Sequence, residues 1–191
     1  MRRIPLAREA ERLTASLDEE LKAAIRSVPD YPKKGVVFRD LTTLWKNGPL
    51  TKKTIDALHE HFAGKKLDAV VGIEARGFIV GAPLADRLDI GFVPARKAGK
   101  LPFRKMGKSY DLEYGSQGLE IHLDAISGGE RVVIVDDLLA TGGTASAARG
   151  LVEQLGGVVA GFAFVAELTF LKGRDKLSGP EVFSLVKYDA E

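Results

Sequence analysis

The sequence predicts an α/β fold in which a mainly parallel central sheet is flanked by helices. Three observations carry that prediction. Short apolar runs rich in β-branched residues, as within Asp68–Ile73 and at Val132–Val135, have the length of strands buried on both faces. These runs alternate with segments of helical length, as expected for a sheet covered by helices. Finally, Val132–Val135 runs into Asp136 and Asp137, then through a Gly/Thr turn into Ala145-Ser146-Ala147-Ala148, a strand–acid–turn–helix order.

The elements follow in chain order. Leu6–Val28 reads as an amphipathic helix with Leu13, Leu17, Leu21 and Ile25 on one face, ended by Pro29-Asp30-Tyr31-Pro32. Val36–Leu41 is short and extended. Residues 51–63 form a helix, Asp68–Ile73 a strand, and Gly77–Leu88 a helix that Pro83 should kink or interrupt. Ile90–Ala95 is the next strand. Residues 97–119 are basic and contain glycines, with little apolar periodicity before Tyr110–Tyr114, and read as a long functional loop. Leu119–Leu123 alternates like an exposed strand. The 132–137 strand, stopped by its two acids, leads to a helix over 143–155. Strands at Val158–Glu167 and Val182–Val186 complete the sheet.

Composition sets the class. With 191 residues, 45% hydrophobic and 28% charged, the chain suits one globular domain with one core. A net charge of +2 implies no broad field for nucleic acid or a membrane surface. No run approaches the ~20 apolar residues of a membrane span. Two arginines near the start have no apolar stretch behind them, and Glu9 and Glu11 come early, so neither a secretory nor a transit signal is expected. The absence of cysteine excludes disulfides and thiolate chemistry and suits a reducing cytoplasm.

The chemistry concentrates at strand ends. The turn Ala140-Thr141-Gly142-Gly143-Thr144 brings backbone N–H groups, two hydroxyls and a helix start into one concavity, which suits a phosphate. Asp136 and Asp137 have the wrong sign for phosphate, but suit sugar hydroxyls or a divalent cation carried by a polyphosphate. Together these features suggest a phosphorylated ribose. The segment lacks the Gly-Lys-Ser/Thr element of a P-loop and the three-glycine spacing of a dinucleotide site. Ile73–Phe78, with Arg76 at a second strand-to-helix junction, makes a second anion site. Arg96, Lys97 and Lys100 cluster where the long loop begins and would meet a polyphosphate as that loop closes. Val37-Phe38-Arg39 offers an aromatic face and an extended backbone edge to a flat heterocycle. His59, His61 and His122 are poorly placed for catalysis: the first two cannot share a helical face at a separation of two.

Taken together, these segments resemble the adenine phosphoribosyltransferases, a branch of the type I phosphoribosyltransferase family. The resemblance runs from about Ser27 to Tyr188. Asp136–Thr144 resembles the family's phosphoribosyl-diphosphate loop. Gly35–Asp40, Ala75–Phe78, Arg96–Pro102, Ser109–Gly115 and the tail Glu167–Arg174 also fit, and Val37–Asp40 with Tyr110–Gly115 point to the adenine branch. The resemblance implies the three-layer type I fold with a small N-terminal hood and a flexible catalytic loop. It divides the chain into a helical extension (1–28), a hood that binds the base (29–45) and a lid (97–119) within one domain.

It also implies the reaction: adenine plus 5-phosphoribosyl 1-diphosphate gives AMP and diphosphate, with Mg2+. On that reading Ala140, Thr141, Gly142, Gly143 and Thr144 cradle the 5′-phosphate. Asp136 and Asp137 face the ribose hydroxyls, directly or through water on a magnesium ion carried mainly by the substrate. Arg76, with Ala75, meets the diphosphate, assisted by Arg96, Lys97 and Lys100, some from the neighbouring subunit of a homodimer. Phe38 stacks on adenine, Val37 and Arg39 offer backbone groups to its edge, and Leu138 packs on its other face. Glu113 hydrogen-bonds or protonates the purine N7, and Tyr114 closes over the site. Glu74 and Ala75 depart from an aspartate and a serine common in relatives, which should change diphosphate affinity modestly at most. Two rival readings share parts of this pattern. One is a phosphoribosyltransferase for another base, although no lysine is convincingly placed for a 6-oxopurine. The other is a regulator that senses the sugar diphosphate, although no recognition helix-turn-helix precedes residue 30.

Overall fold

The computed structural model describes residues 17–112 and 115–190. Its core is a seven-stranded sheet in the order β5-β6-β4-β3-β7-β8-β9. Strands β3 (Ala69–Ile73), β4 (Gly91–Lys97), β7 (Arg131–Leu139), β8 (Val158–Leu168) and β9 (Glu181–Tyr188) run parallel. A hairpin of β5 (Lys105–Leu112) and β6 (Gly115–His122) adds antiparallel to β4 at one edge. A separate two-stranded ribbon pairs β1 (Arg26–Val28) with β2 (Phe38–Asp40).

Why the apolar runs are continuous is plain from the packing. Successive strand residues point to opposite faces. Val71, Ile73, Ile134, Phe162 and Phe164 pack on one face, against Ala145, Ala148, Leu151 and Val152 of α5 (Gly143–Gln154). Val70, Val133, Val135, Ala163 and Val165 pack on the other. That face is covered by helical residues 17–24 (α1), α2 (Thr42–Trp45), α3 (Gly48–Phe62) and α4 (Arg76–Leu88). The result is a three-layer fold, as the resemblance implies. Among the described residues no helix is long and apolar enough to cross a membrane.

Several elements differ from the sequence reading. The first helix does not continue to Val28: residues 26–28 leave it and pair with β2, so the hood begins before residue 29. The helix expected at 51 starts at Gly48, with the Asn47 side chain accepting from the Leu50 N–H at 3.2 Å and Pro49 in the first turn. Helix α4 runs unbroken through Pro83, which sits on its exposed side. Much of 97–119 is hairpin rather than irregular loop. Leu119 and Ile121, expected on an exposed strand, are fully buried, while Lys108 lies across Gly150 of α5. Two short 3-10 segments, Thr169–Leu171 and Gly173–Leu177, were not expected at all.

Candidate active site

Strand order fixes where a ligand can enter. From β3 the chain crosses through α4 to β4 on one side. From β7 it crosses through α5 to β8 on the other. Strands β3 and β7 are neighbours, and a crevice opens beyond their carboxyl ends, where ligands bind in open α/β sheets. The crevice has a visible cause. Pairing between β3 and β7 ends at Gly72 with Val135, but β7 continues along β8 to Leu139 with Glu167. Asp136 and Asp137 therefore do not stop the strand, as the sequence reading expected. They extend it past its neighbour and leave one edge open.

The acid pair is electrostatically poised. Asp137 is 1% exposed. Its Oδ2 lies 2.8 Å from Arg76 Nε, outside hydrogen-bonding alignment, so that buried oxygen has no hydrogen-bond donor among the described residues. Asp136 Oδ1 accepts from the Asp137 N–H at 2.9 Å. Burial pushes both carboxyls above their ordinary range. Asp136 is raised well above it, helped by the charge of Asp137, while Arg76 pulls both the other way. The pair is a place where added positive charge or hydroxyl donors would be welcomed.

Both helices that start at the crevice lack a side-chain cap. Helix α4 has Ala75 at its N-cap and α5 has Gly142, and neither N-terminus receives a side-chain hydrogen bond. Their first N–H groups point outward, toward the space an anion would fill. Gly142 adopts φ +76°, which glycine tolerates, and a Cβ there would lie 2.3 Å from the Gly173 carbonyl oxygen. Gly77 allows α4 to start hard against β7, since its Cβ would meet the Val135 carbonyl at 2.6 Å. The 3-10 segment that carries Gly173 is secured by Arg174, which donates to both Glu167 oxygens at 2.5 and 2.6 Å and to the Val182 carbonyl at 2.8 Å. Burial raises Glu167, but the hydrogen bonds and charge of Arg174, with Ser184, outweigh it and hold the carboxyl below its ordinary value.

The hood closes the site from the side. Phe38 is partly exposed and packs edge-on to Tyr31, ring centroids 5.3 Å apart. Arg76 Cζ lies 5.7 Å from the Phe38 ring centroid. One guanidinium thus touches the acid of β7 and faces the aromatic of the hood. Leu138, on the open edge of β7, packs against the apolar cluster that includes Leu41 and Leu44 of the hood.

At the opposite rim, Glu74 organises the cation cluster. Arg96 donates to both its oxygens at 2.8 and 3.2 Å, and to the Lys100 carbonyl at 3.0 Å, while the Lys97 N–H reaches Glu74 Oε2 at 2.9 Å. The hydrogen bond from Arg96 is the main reason Glu74 sits below its ordinary range. Lys97 and Lys100 are exposed and form no salt bridge among the described residues.

A phosphoribosyl transferase domain family matches residues 46–182. An adenine phosphoribosyltransferase from Acidobacterium capsulatum is 59% identical over 170 residues, 89% of this chain and 94% of the relative. One from Clostridium perfringens is 59% identical over 169 residues, 88% and 98% of the two chains. The crystal structure of adenine phosphoribosyltransferase from Thermoanaerobacter pseudethanolicus superposes with TM-score 0.86 at 53% identity, covering 89% and 99%. The chain belongs to the adenine phosphoribosyltransferases. The yeast member from Saccharomyces cerevisiae, complexed with an imino-altritol bisphosphate and adenine, superposes with TM-score 0.84 at 48% identity, covering 90% and 99%.

The structure brings together most residues singled out from sequence. Asp136, Asp137, Leu138 and the turn 140–144 lie at the end of β7, with Ala75 and Arg76 across the crevice. Val37 and Phe38 stand beside them in the hood. Arg39 turns its side chain away, toward Ser27 and Tyr188. Arg96 faces Glu74 at the rim. Glu113 and Tyr114 lie outside the described residues. Sequence reasoning included Gly77, Glu167, Gly173 and Arg174 in matching segments but gave none of them a role. The glycines leave a signal only once the partner backbone is known.

Proposed function

We propose that the chain transfers the phosphoribosyl group of 5-phosphoribosyl 1-diphosphate to adenine, giving AMP and diphosphate. The observation that carries this reading is Arg76, which pairs with the ribose-side acid Asp137 and faces the base-side ring of Phe38. Base and sugar diphosphate would then meet at one guanidinium. The names of the relatives support the reading, as does the Trypanosoma brucei structure in complex with AMP, pyrophosphate and ribose-5-phosphate, 25% identical to this chain.

In the reaction a C–N bond forms at the anomeric carbon as the C–O bond to diphosphate breaks. The bonding pair leaves with diphosphate, and the base gives up its N–H proton. The ribose becomes cation-like, so positioning and charge stabilisation dominate over nucleophilic power. We assign the 5′-phosphate to residues 140–144, the ribose hydroxyls to Asp136 and Asp137, and the diphosphate to Arg76 and the α4 N-terminus, with Arg96, Lys97 and Lys100 assisting. Phe38 and Leu138 would enclose the purine, with the Val37 and Arg39 backbone at its edge. Glu113 would hydrogen-bond or protonate N7, and Tyr114 would close over the site.

The donor set fits Mg2+ held mainly by the substrate. Asp137 offers a buried oxygen without a hydrogen bond, yet among the described residues no three His, Cys, Asp or Glu side chains gather around a cation position. Magnesium would supply charge neutralisation on the departing diphosphate. The proposal includes a homodimer, with some rim cations acting across the interface, and a cytoplasmic location, which suits the cysteine-free composition.

The test is AMP formation from adenine, sugar diphosphate and magnesium, resolved by chromatography. Equimolar AMP and diphosphate are expected, each dependent on all three components. A protein that binds the sugar diphosphate but turns over no base would overturn the reading in favour of a sensor.

A further inference from the structure

The hood is a weak structure by itself. Strands β1 and β2 pair over three residues each, and an isolated two-stranded ribbon is marginal in water. Its tilt against the main sheet therefore depends on the side chains that leave it. Phe38 and Arg39 are neighbours on β2 and point to opposite faces. Phe38 faces Arg76. Arg39 reaches the last strand of the main sheet, with Cζ 4.2 Å from the Tyr188 ring centroid and Nη1 donating to Ser27 Oγ at 2.5 Å. Its guanidinium is held between the two hood strands and β9.

Tyr188 is itself well anchored. It pairs in register with Leu168 at the end of β8 and β9. Its carbonyl accepts from Thr169 Oγ1 at 3.0 Å, and Thr169 opens the 3-10 segment that leads to Gly173 under the phosphate turn. The ring packs against the apolar cluster behind the hood. The hydroxyl is buried and has no hydrogen-bond partner among the described residues. Buried tyrosines usually satisfy that hydroxyl. Here the ring face makes the directed contact, and the hydroxyl makes none.

The geometry points to Tyr188 as a positioning residue for the base: through Arg39 it sets the tilt of β2, and with it the Phe38 ring and the Val37–Arg39 backbone. This rests on the adenine reading proposed above and deepens it. Tyr188 touches no substrate. It links the hood to β9, whose neighbour β8 leads through Thr169 toward the 3-10 segment that meets Gly142.

The experiment compares Tyr188→Leu and Tyr188→Phe by steady-state kinetics, varying adenine and sugar diphosphate separately. Arg39 and Tyr188 are both half-buried, and a cation–π contact at such a site sets the scale, so Tyr188→Leu should raise the adenine KM roughly 3- to 10-fold. The KM for sugar diphosphate should stay within about twofold. Tyr188→Phe keeps the ring, loses only the unpartnered hydroxyl, and should behave as wild type. Arg39→Gln should reproduce the rise in adenine KM, and Tyr188→Leu on top of it should add little. That cycle also serves if Tyr188→Leu folds poorly, because Arg39→Gln reads the same contact from the hood. An unchanged adenine KM, equal rises in both KM values, or failure of phenylalanine to restore it would overturn the inference. A wild-type chain that forms no AMP would overturn the adenine reading as well, and so separates the two failures.

Discussion

Replacing Asp136 by asparagine should stabilise the protein while disabling it. The side chain is partly exposed, but burial is the first cause of its raised titration, and the charge of Asp137 is the second. Two carboxylates at about 4 Å repel by about 4 kcal/mol at the effective dielectric of a protein surface. Arg76, 2.8 Å from Asp137, offsets much of that. A net gain of about 1–2 kcal/mol remains for a neutral group, and the asparagine Oδ1 can keep the 2.9 Å hydrogen bond from the Asp137 N–H. For a chain of this size that gain raises Tm by roughly 2–8 °C. The pH dependence has a definite sign. A folded-state pKa above the ordinary value of 3.8 means that the wild type loses stability as pH rises through the folded value, whereas the amide does not. Thermal melts followed by circular dichroism should show the widest gap near about pH 7.5 and a closing gap toward about pH 4. In parallel kcat/KM for sugar diphosphate should fall by about 100-fold or more. A variant that melts below wild type at neutral pH, or keeps full kcat/KM, would refute the view that this site stores unfavourable charge for its ligand.

Three further outcomes follow from the same geometry. Gly77→Ala places a Cβ 2.6 Å from the Val135 carbonyl, so overpacking should outweigh the gain in helix propensity, lowering stability by about 1–2 kcal/mol and impairing turnover; wild-type melting and activity together would refute it. Arg174→Met leaves the Glu167 carboxylate, whose side chain is 3% exposed, without its partner and should cost about 2–4 kcal/mol, less than a fully buried pair because Arg174 is itself partly exposed. Because Glu167 is held below its ordinary 4.5, the wild-type advantage should be full above that value and shrink on acidification through the lower folded value; a pH-independent gap measured by urea denaturation would contradict this. Chelating magnesium should abolish AMP formation without changing the Tm of the free protein, whereas a lowered Tm would place the metal in the protein.

What could be read from the sequence was what the local pattern determines. Val132–Val135 reads as a strand because each of its residues meets a covered face, and the α5 segment reads as a helix from the turn that precedes it. The turn 140–144 and the acid pair could be singled out for the same reason: they are contiguous in the sequence, and the structure keeps them together between β7 and α5. Features set by distant pairing were not. The ribbon Arg26–Val28 continues a helical pattern through Ile25, yet its β2 partner draws it out of the helix. The arm within 97–119 carries few apolar residues and no clear alternation, so its strands are nearly invisible in the sequence before Leu119, which is buried with Ile121. The extension of β7 through two acids depends on β8 outrunning β3. Gly173 matters only because the turn at Gly142 lands upon it.

The central claim is that one crevice joins a phosphoribosyl site to a purine site selective for adenine. The most direct measurement is a competition in one reaction: wild-type protein, magnesium, limiting sugar diphosphate, and equal concentrations of adenine, hypoxanthine, guanine, xanthine and orotate, with the nucleotides resolved and identified by mass. AMP should account for nearly all product. A different nucleotide as the main product would preserve the phosphate side of the site and contradict the assignment of Val37, Phe38 and Arg39 to adenine.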